Sequence, residues 1–288
     1  MRSVIDEPAI EVVSREVRDD GAPAGYLGTP GAELMDIRQW RHLFDFALAA
    51  EKDPEELRAL RFNARRYLPP GFLQATASTI EGALSQATHD WAGCFENVEF
   101  WPCLINYDVY ANPVLPSWRA FHRDDGFWRG MRAFLREVQG ALPSLLVLIT
   151  TNLRGRSKDY DAALAEIFTT LRDYGIKVNG TVEQQFLGGG MPKKCQVCIP
   201  YWLSRFAATA EGFKVDIVDS LDYAGTQGVR MVHLILKLRP LANPASASEI
   251  TLRKLVNFPH QTLVPDEKGG FRRDSGVHAV VGPANSGH

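Results

Sequence analysis

The residues best suited to chemistry lie where two apolar runs end. VEFWPCLINYDVY at 98–110 is apolar until it closes on Asn106, Asp108 and Tyr110, and Asn112 follows two residues later. SLLVLITTNLRG at 144–155 is apolar until Thr150, Thr151 and Asn152. A carboxylate such as Asp108 beside a phenol such as Tyr110 can act as general base or orient a nucleophile. The carboxamides of Asn106, Asn112 and Asn152 each offer donors and an acceptor, which suits them to holding a polar substrate.

These residues act together only if the two runs lie side by side. Two buried strands separated by a helix-length segment read as a βαβ unit of a parallel sheet. Ligands of such sheets sit outside the carboxyl ends of the strands, which is where Asp108, Tyr110 and Asn152 fall. The surrounding pattern extends the sheet. An apolar run at 44–50 precedes Asp53-Pro54-Glu55-Glu56, an Asp cap with Pro at the first helical position and acids in the first turn, so a strand leads at once into a helix over 54–67. Pro69-Pro70-Gly71 stops that helix. FLQATASTI at 72–80 reads as the next strand, ending at Glu81-Gly82, and a helix is expected over 116–140. Ala163, Ile167, Leu171 and Tyr174 recur at helical spacing within 159–174. After a further helix over 199–211, FKVDIVDSLDYAG and VRMVHLILKLRP read as two strands of an antiparallel hairpin that closes the sheet.

The flanks read differently. Residues 1–24 form an N-terminal arm, and 21–33 are rich in Gly and Pro. The domain proper is expected over 25–240, with a partly mobile extension at 241–288 where Pro, Ser, Ala and Gly accumulate.

Strand–helix alternation ending in an antiparallel hairpin resembles the class I S-adenosylmethionine-dependent methyltransferases, a Rossmann-like family whose last strand is inserted antiparallel into an otherwise parallel sheet. The closing phrase FAATAEGFKVDIVDSLDY, a turn, then VRMVHLILKLRP is similar to that family's helix–strand–loop–strand ending. The resemblance implies an α/β fold with a mostly parallel sheet flanked by helices, and S-adenosylmethionine as cofactor. It places GTPGAELMD at 28–36 in the family's cofactor loop, with Gly28, Gly31 and Asp36 as contacts. Glu51, at the end of the second strand, would accept hydrogen bonds from the ribose hydroxyls. Glu81, at the end of the third, would meet the adenine. Asp108 and Tyr110 would face the methyl acceptor, with Asn106, Asn112 and Asn152 around it; the segment NYDVYANP is similar to the Asp/Asn-Pro-Pro-aromatic motif of amino-methyltransferases, without its paired prolines. Trp118 and Trp128 suit either stacking on a planar acceptor or core packing. The loop carries Gly28, Pro30 and Gly31 in place of the family's acidic-x-Gly-x-Gly spacing. On that departure rests the alternative expectation, a catalytically inactive module that binds a partner or senses a nucleotide.

Composition narrows the remaining choices. The chain has 288 residues, 45% apolar and 23% charged, with a formal net charge of −2. That balance gives no global steering toward polyanions, although nucleic acid stays open as an acceptor through local clusters: Arg61, Arg65 and Arg66, then Arg154, Arg156 and Lys158, then Lys193 and Lys194. No apolar stretch reaches membrane-spanning length and no signal-peptide core is present, which predicts a cytoplasmic protein without a membrane partner. Cys195 and Cys198 have metal-ligand spacing, but Cys94 and Cys103 lie nine apart and supply no second close pair, so free thiols are expected and no metal. His233 sits in an apolar strand, as a core histidine would. Neither a Gly-x-Ser-x-Gly elbow nor a P-loop occurs.

Overall fold

In a computed structural model of the chain, residues 23–85, 101–108, 127–152, 204–205, 207–224, 229–241, 261–265, 267 and 271–274 are described, with positions 165, 168, 169, 172, 180, 181, 184 and 201. The strands are β1 (Gly25–Gly28), β2 (Phe46–Ala50), β3 (Leu73–Thr76), β4 (Leu104–Asp108), β5 (Leu145–Asn152), β6 (Phe213–Ala224), β7 (Arg230–Pro240), β8 (Gln261–Pro265) and β9 (Phe271–Asp274). They form one sheet in the order β3-β2-β1-β4-β5-β7-β6-β8-β9. Every pair from β3 through β5 is parallel. β7 runs antiparallel to both β5 and β6, so it is inserted between two strands of the opposite sense.

Among the described residues α1 (Met35–Trp40), α2 (Pro54–Tyr67) and α3 (Phe127–Glu137) flank these strands. Side chains alternate across each strand, so the sheet feeds two cores. Tyr26, Ala47, Leu104 and Leu148 pack with Ile37 and Trp40 of α1 and Leu60 of α2. Leu27, Leu48, Ile105 and Val147 pack instead with Phe127, Met131 and Phe134 of α3. Asp53 starts α2 as expected, its side chain accepting the backbone N–H groups of Glu55 and Glu56 at 2.8 and 3.1 Å. The hydrogen bonds from Glu56 and Glu55 hold its carboxyl below the usual carboxylate range.

Two sequence expectations shift. β3 ends at Thr76, and residues 80–85 are helical, so Glu81 lies in a helical turn and not at a strand end. Thr79 starts that turn, its hydroxyl accepting the Gly82 N–H at 3.0 Å. The Gly/Pro stretch conceals β1, which occupies the centre of the parallel section. Glycine is required at its first position: a Cβ on Gly25 would lie 2.1 Å from the Phe46 ring. β8 and β9 lie inside the 241–288 extension and lengthen the sheet beyond the hairpin. Among the described residues no helix is long and apolar enough to cross a membrane.

Candidate active site at the β1–β4 switch point

The strand order runs outward from β1 in one direction and from β4 in the other, so the chain crosses over between them. At such a switch point the loops leave a crevice at the carboxyl ends of the strands. The order through β6, with β7 inserted antiparallel, decides the fold class. The fold is Rossmann-like, a mostly parallel sheet with a C-terminal antiparallel hairpin.

Gly28 closes β1 at this point, paired with Ala49 on β2 and Asn106 on β4. A Cβ there would come 2.4 Å from the Tyr26 hydroxyl and 3.0 Å from the Asn106 backbone oxygen. Thr29 then donates its hydroxyl to the Asp108 carbonyl at 3.3 Å, which ties the first loop to the end of β4. The loop turns through Gly31 at φ 66° and Leu34 at φ 54°. Left-handed backbone costs a non-glycine residue about 1 kcal/mol, and here the Leu34 side chain is fully buried in the core, which offsets that strain.

Asn106 and Asp36 meet beneath this loop. The Asn106 amide nitrogen donates to Asp36 at 3.0 Å and to the Tyr26 hydroxyl at 3.1 Å. Asn106 is 1% exposed and Asp36 6%, so the pair pins α1 to β4 from inside. The Asn106 side-chain oxygen has no hydrogen-bond partner among the described residues. Burying it so costs roughly 1–3 kcal/mol unless a bound group completes it.

One strand over, Glu51 follows β2, and its backbone N–H extends the ladder to Thr76 at 3.1 Å. Its carboxylate is half-buried and accepts the Asp53 N–H at 2.9 Å. The capping role therefore belongs to Asp53, and Glu51 is held at the strand end by the same turn. On the other face Tyr107 donates to Glu81 at 2.7 Å and stacks on Phe127 at 3.8 Å between centroids. Burial, then the Glu81 carboxylate, push the Tyr107 phenol far above its ordinary value, so it stays a donor.

Asp108 is half-buried at the end of β4, in register with Thr150 of β5, which is in turn in register with His233 of β7. Thr150 Oγ1 and His233 Nδ1 lie 2.8 Å apart, and both side chains are buried. Asn152 closes β5 opposite Met231. Tyr110, Asn112, Trp118, Cys195 and Cys198 lie outside the described residues. Trp128 is fully buried, edge-on to Phe127 at 4.8 Å, so it belongs to the core.

Gly28, Gly31, Asp36, Asn106 and Asp108 thus converge on one loop, with Glu51 on the neighbouring strand. Glu81 belongs to the opposite face. Tyr26 and Thr29 join the site without having been singled out in the sequence, and Tyr107 lies with Glu81 on the other face. Tyr26 and Thr29 flank the glycine that marked the loop, and the period-2 pattern of β4 puts Tyr107 opposite Asn106.

Several solved structures are similar to this chain. One is a Pyrococcus horikoshii protein described as a transferase, 12% identical over 76% of this chain and 58% of its own, TM-score 0.39. Another is the 23S rRNA methyltransferase ErmE, 14% identical over 86% of this chain and 71% of its own, TM-score 0.42. A third is M. jannaschii TYW2 in complex with AdoMet, 10% identical over 82% of this chain and 77% of its own, TM-score 0.37. The chain spans 58% of the length of the first of these. No protein-family profile matches the chain, and no curated protein does.

Proposed function

We propose that this protein is an S-adenosylmethionine-dependent methyltransferase. The observation that carries the reading is the antiparallel β7 inserted beside β5 in a sheet whose switch point gathers Gly28, Glu51 and Asp108. The chemistry of the residues there fits the cofactor. Gly31 is a left-handed turn with nothing within 4 Å of its would-be Cβ, so a ligand can approach the backbone. Glu51 offers a half-buried carboxylate to the ribose hydroxyls, and the buried Asn106 oxygen is an acceptor in want of a donor. Gly28 and Asp36 shape the loop from below.

When bound, S-adenosylmethionine supplies an electrophilic methyl group on a sulfonium. The protein's part is alignment and exclusion of water, because displacement at that methyl needs little else. Asp108 accepts the proton that the attacking nitrogen or oxygen loses. Tyr110, Asn112 and Asn152 orient the acceptor, for which nucleic acid is the class we favour.

Calorimetric titration of the full chain with S-adenosylmethionine and S-adenosylhomocysteine tests the reading. We expect dissociation constants on the order of micromolar. Glu51→Ala should weaken both at least tenfold, since hydrogen bonds to a charged group contribute about 1.5–3 kcal/mol. No heat from either ligand, with the protein folded, would reject the enzyme.

A further inference from the structure

Helix α2 carries a stripe that the proposed site does not use. Arg58, Arg61, Phe62, Arg65 and Arg66 fall at i, i+3, i+4, i+7 and i+8, which puts them on one face. All five are exposed, and Phe62 is 65% exposed in the midst of four guanidinium groups. The opposite face, with Leu57 and Leu60, is the one that packs on the sheet. An amphipathic helix of a globular domain normally turns plain mixed charge to water. This one turns to water a stripe of four arginines with an aromatic at its centre.

Arg58 reaches Glu55 at 3.8 Å, with both side chains largely in water. Among the described residues no carboxylate pairs with Arg61, Arg65 or Arg66. Arg61 donates one N–H to the Ala75 carbonyl at 2.8 Å, which fixes its guanidinium on the edge strand β3 and leaves its other donors outward. Arg61 and Arg65 line an open cleft of about 230 Å³ together with Pro69, Pro70 and Leu73. At the end of the helix, Arg66 and Arg38 lie over the Tyr67 ring at 5.2 and 4.4 Å, so the cationic surface continues onto α1. The whole chain carries a net charge of −2, so this local positive field is a departure from the balance of the molecule.

We propose that the α2 stripe is a binding site for single-stranded nucleic acid, the sugar-phosphate backbone lying along the arginines and a base stacking on Phe62. Guanidinium forks match phosphate oxygens in pairs, and an exposed aromatic ring offers any unpaired base a face to stack on. The stripe rises roughly 12 Å along the helix axis, at 1.5 Å per residue, enough for about two successive phosphates. A duplex keeps its bases stacked inside and would leave Phe62 without a partner. The inference goes beyond the methyltransferase reading, because binding is measured without cofactor.

The test is fluorescence anisotropy of the full chain with a labelled single-stranded RNA of mixed sequence, across a salt series. Arg65→Glu with Arg66→Glu should weaken binding at least tenfold and flatten the dependence of log affinity on log salt by about 1.4, at roughly 0.7 per lost phosphate contact. Phe62→Ala should weaken binding roughly tenfold with the salt slope kept. Arg65→Gln with Arg66→Gln repeats the first test without reversing charge, and circular dichroism confirms each fold. Absence of RNA binding by the unmodified chain, or unchanged affinity in the double variants, overturns the proposal. So does tighter binding of a duplex with Phe62→Ala silent, or equal competition by polyglutamate. Titration of the Arg65→Glu/Arg66→Glu protein with S-adenosylmethionine should match the unmodified chain, which keeps the fate of the cofactor site separate from that of the stripe.

Discussion

Gly28 is the residue on which the candidate site turns. Any side chain there meets the Tyr26 hydroxyl and the Asn106 backbone, and neither can move freely because both belong to buried strands. Gly28→Ala should therefore destabilise the protein by roughly 1–3 kcal/mol, the usual cost of overpacking. It should also weaken S-adenosylmethionine binding, since the loop is tied through Thr29 to the end of β4. Urea denaturation beside calorimetry checks both; a fully stable variant would mean that the loop yields more readily than its packing implies. Residue types told part of this in advance. Asp53 and Pro54 announce a helix start by their own chemistry, and Glu51 follows from the strand before it. Asn106 is different. Its place at a strand end reads as a substrate contact, yet strand alternation turns it under α1 toward Asp36, and the face on which α1 packs is not written in the local pattern.

Elements with a strong local signal were legible: the β2–α2 unit, β5 and the β6–β7 hairpin. The misses were elements whose stability comes from neighbours. β1 is four residues with glycine at both ends, GYLG, and becomes a strand because β2 and β4 flank it. β3 was read too long, because the run of Ala, Ser and Thr after it suits a cap as well as a strand. A contact no pattern announced joins α3 to the start of β6. Glu211 accepts from Arg132 Nε and from Arg136 Nε and Nη2, each at 2.8 Å. Burial alone would raise the Glu211 carboxyl, but the hydrogen bonds from Arg136 and Arg132 outweigh it and hold it below its ordinary value of 4.5. The stabilisation is therefore fully present above that value and fades as the pH falls through the lower folded value. Glu211→Gln should cost roughly 1–3 kcal/mol near pH 7, discounted from a fully buried pair because the Arg136 side chain is 56% exposed. Its deficit against the unmodified chain should shrink as acidification protonates the Glu211 carboxyl. A deficit independent of pH would mean that shape, and not charge, makes the contact matter.

At the scale of the molecule, the Rossmann-like sheet with its closing hairpin extends from β3 to β6, and β8 and β9 are an addition to it. Among the described residues β8 meets β6 through two register pairs, Leu221 with Gln261 and Asp222 with Thr262. Side chains reinforce the joint: Thr262 donates to Asp222 at 2.8 Å, and Arg273 of β9 reaches Asp219 at the same distance, with the Asp219 side chain 10% exposed. The addition covers the Leu221–Asp222 portion of what would otherwise be the free outer edge of a twelve-residue strand. Long uncovered edges offer unpaired backbone groups to other chains, and proteins blunt them with short, charged strands. β9, FRRD, is short and bears two arginines, which is that device. A chain ending at Leu241 should keep the β1–β4 switch point intact, because among the described residues none of its ties reaches past β7. It should therefore bind S-adenosylmethionine as the full chain does, yet melt several degrees lower, since loss of about 1–2 kcal/mol shifts a domain of this size by ~2–4 °C per kcal/mol. It should also self-associate through β6 as concentration rises. Differential scanning calorimetry and sedimentation velocity measure the two effects. A truncated chain with an unchanged melting temperature and the same sedimentation behaviour as the full one would leave the extra strands without an edge-covering role. Loss of cofactor binding on truncation would instead place part of the site in the extension.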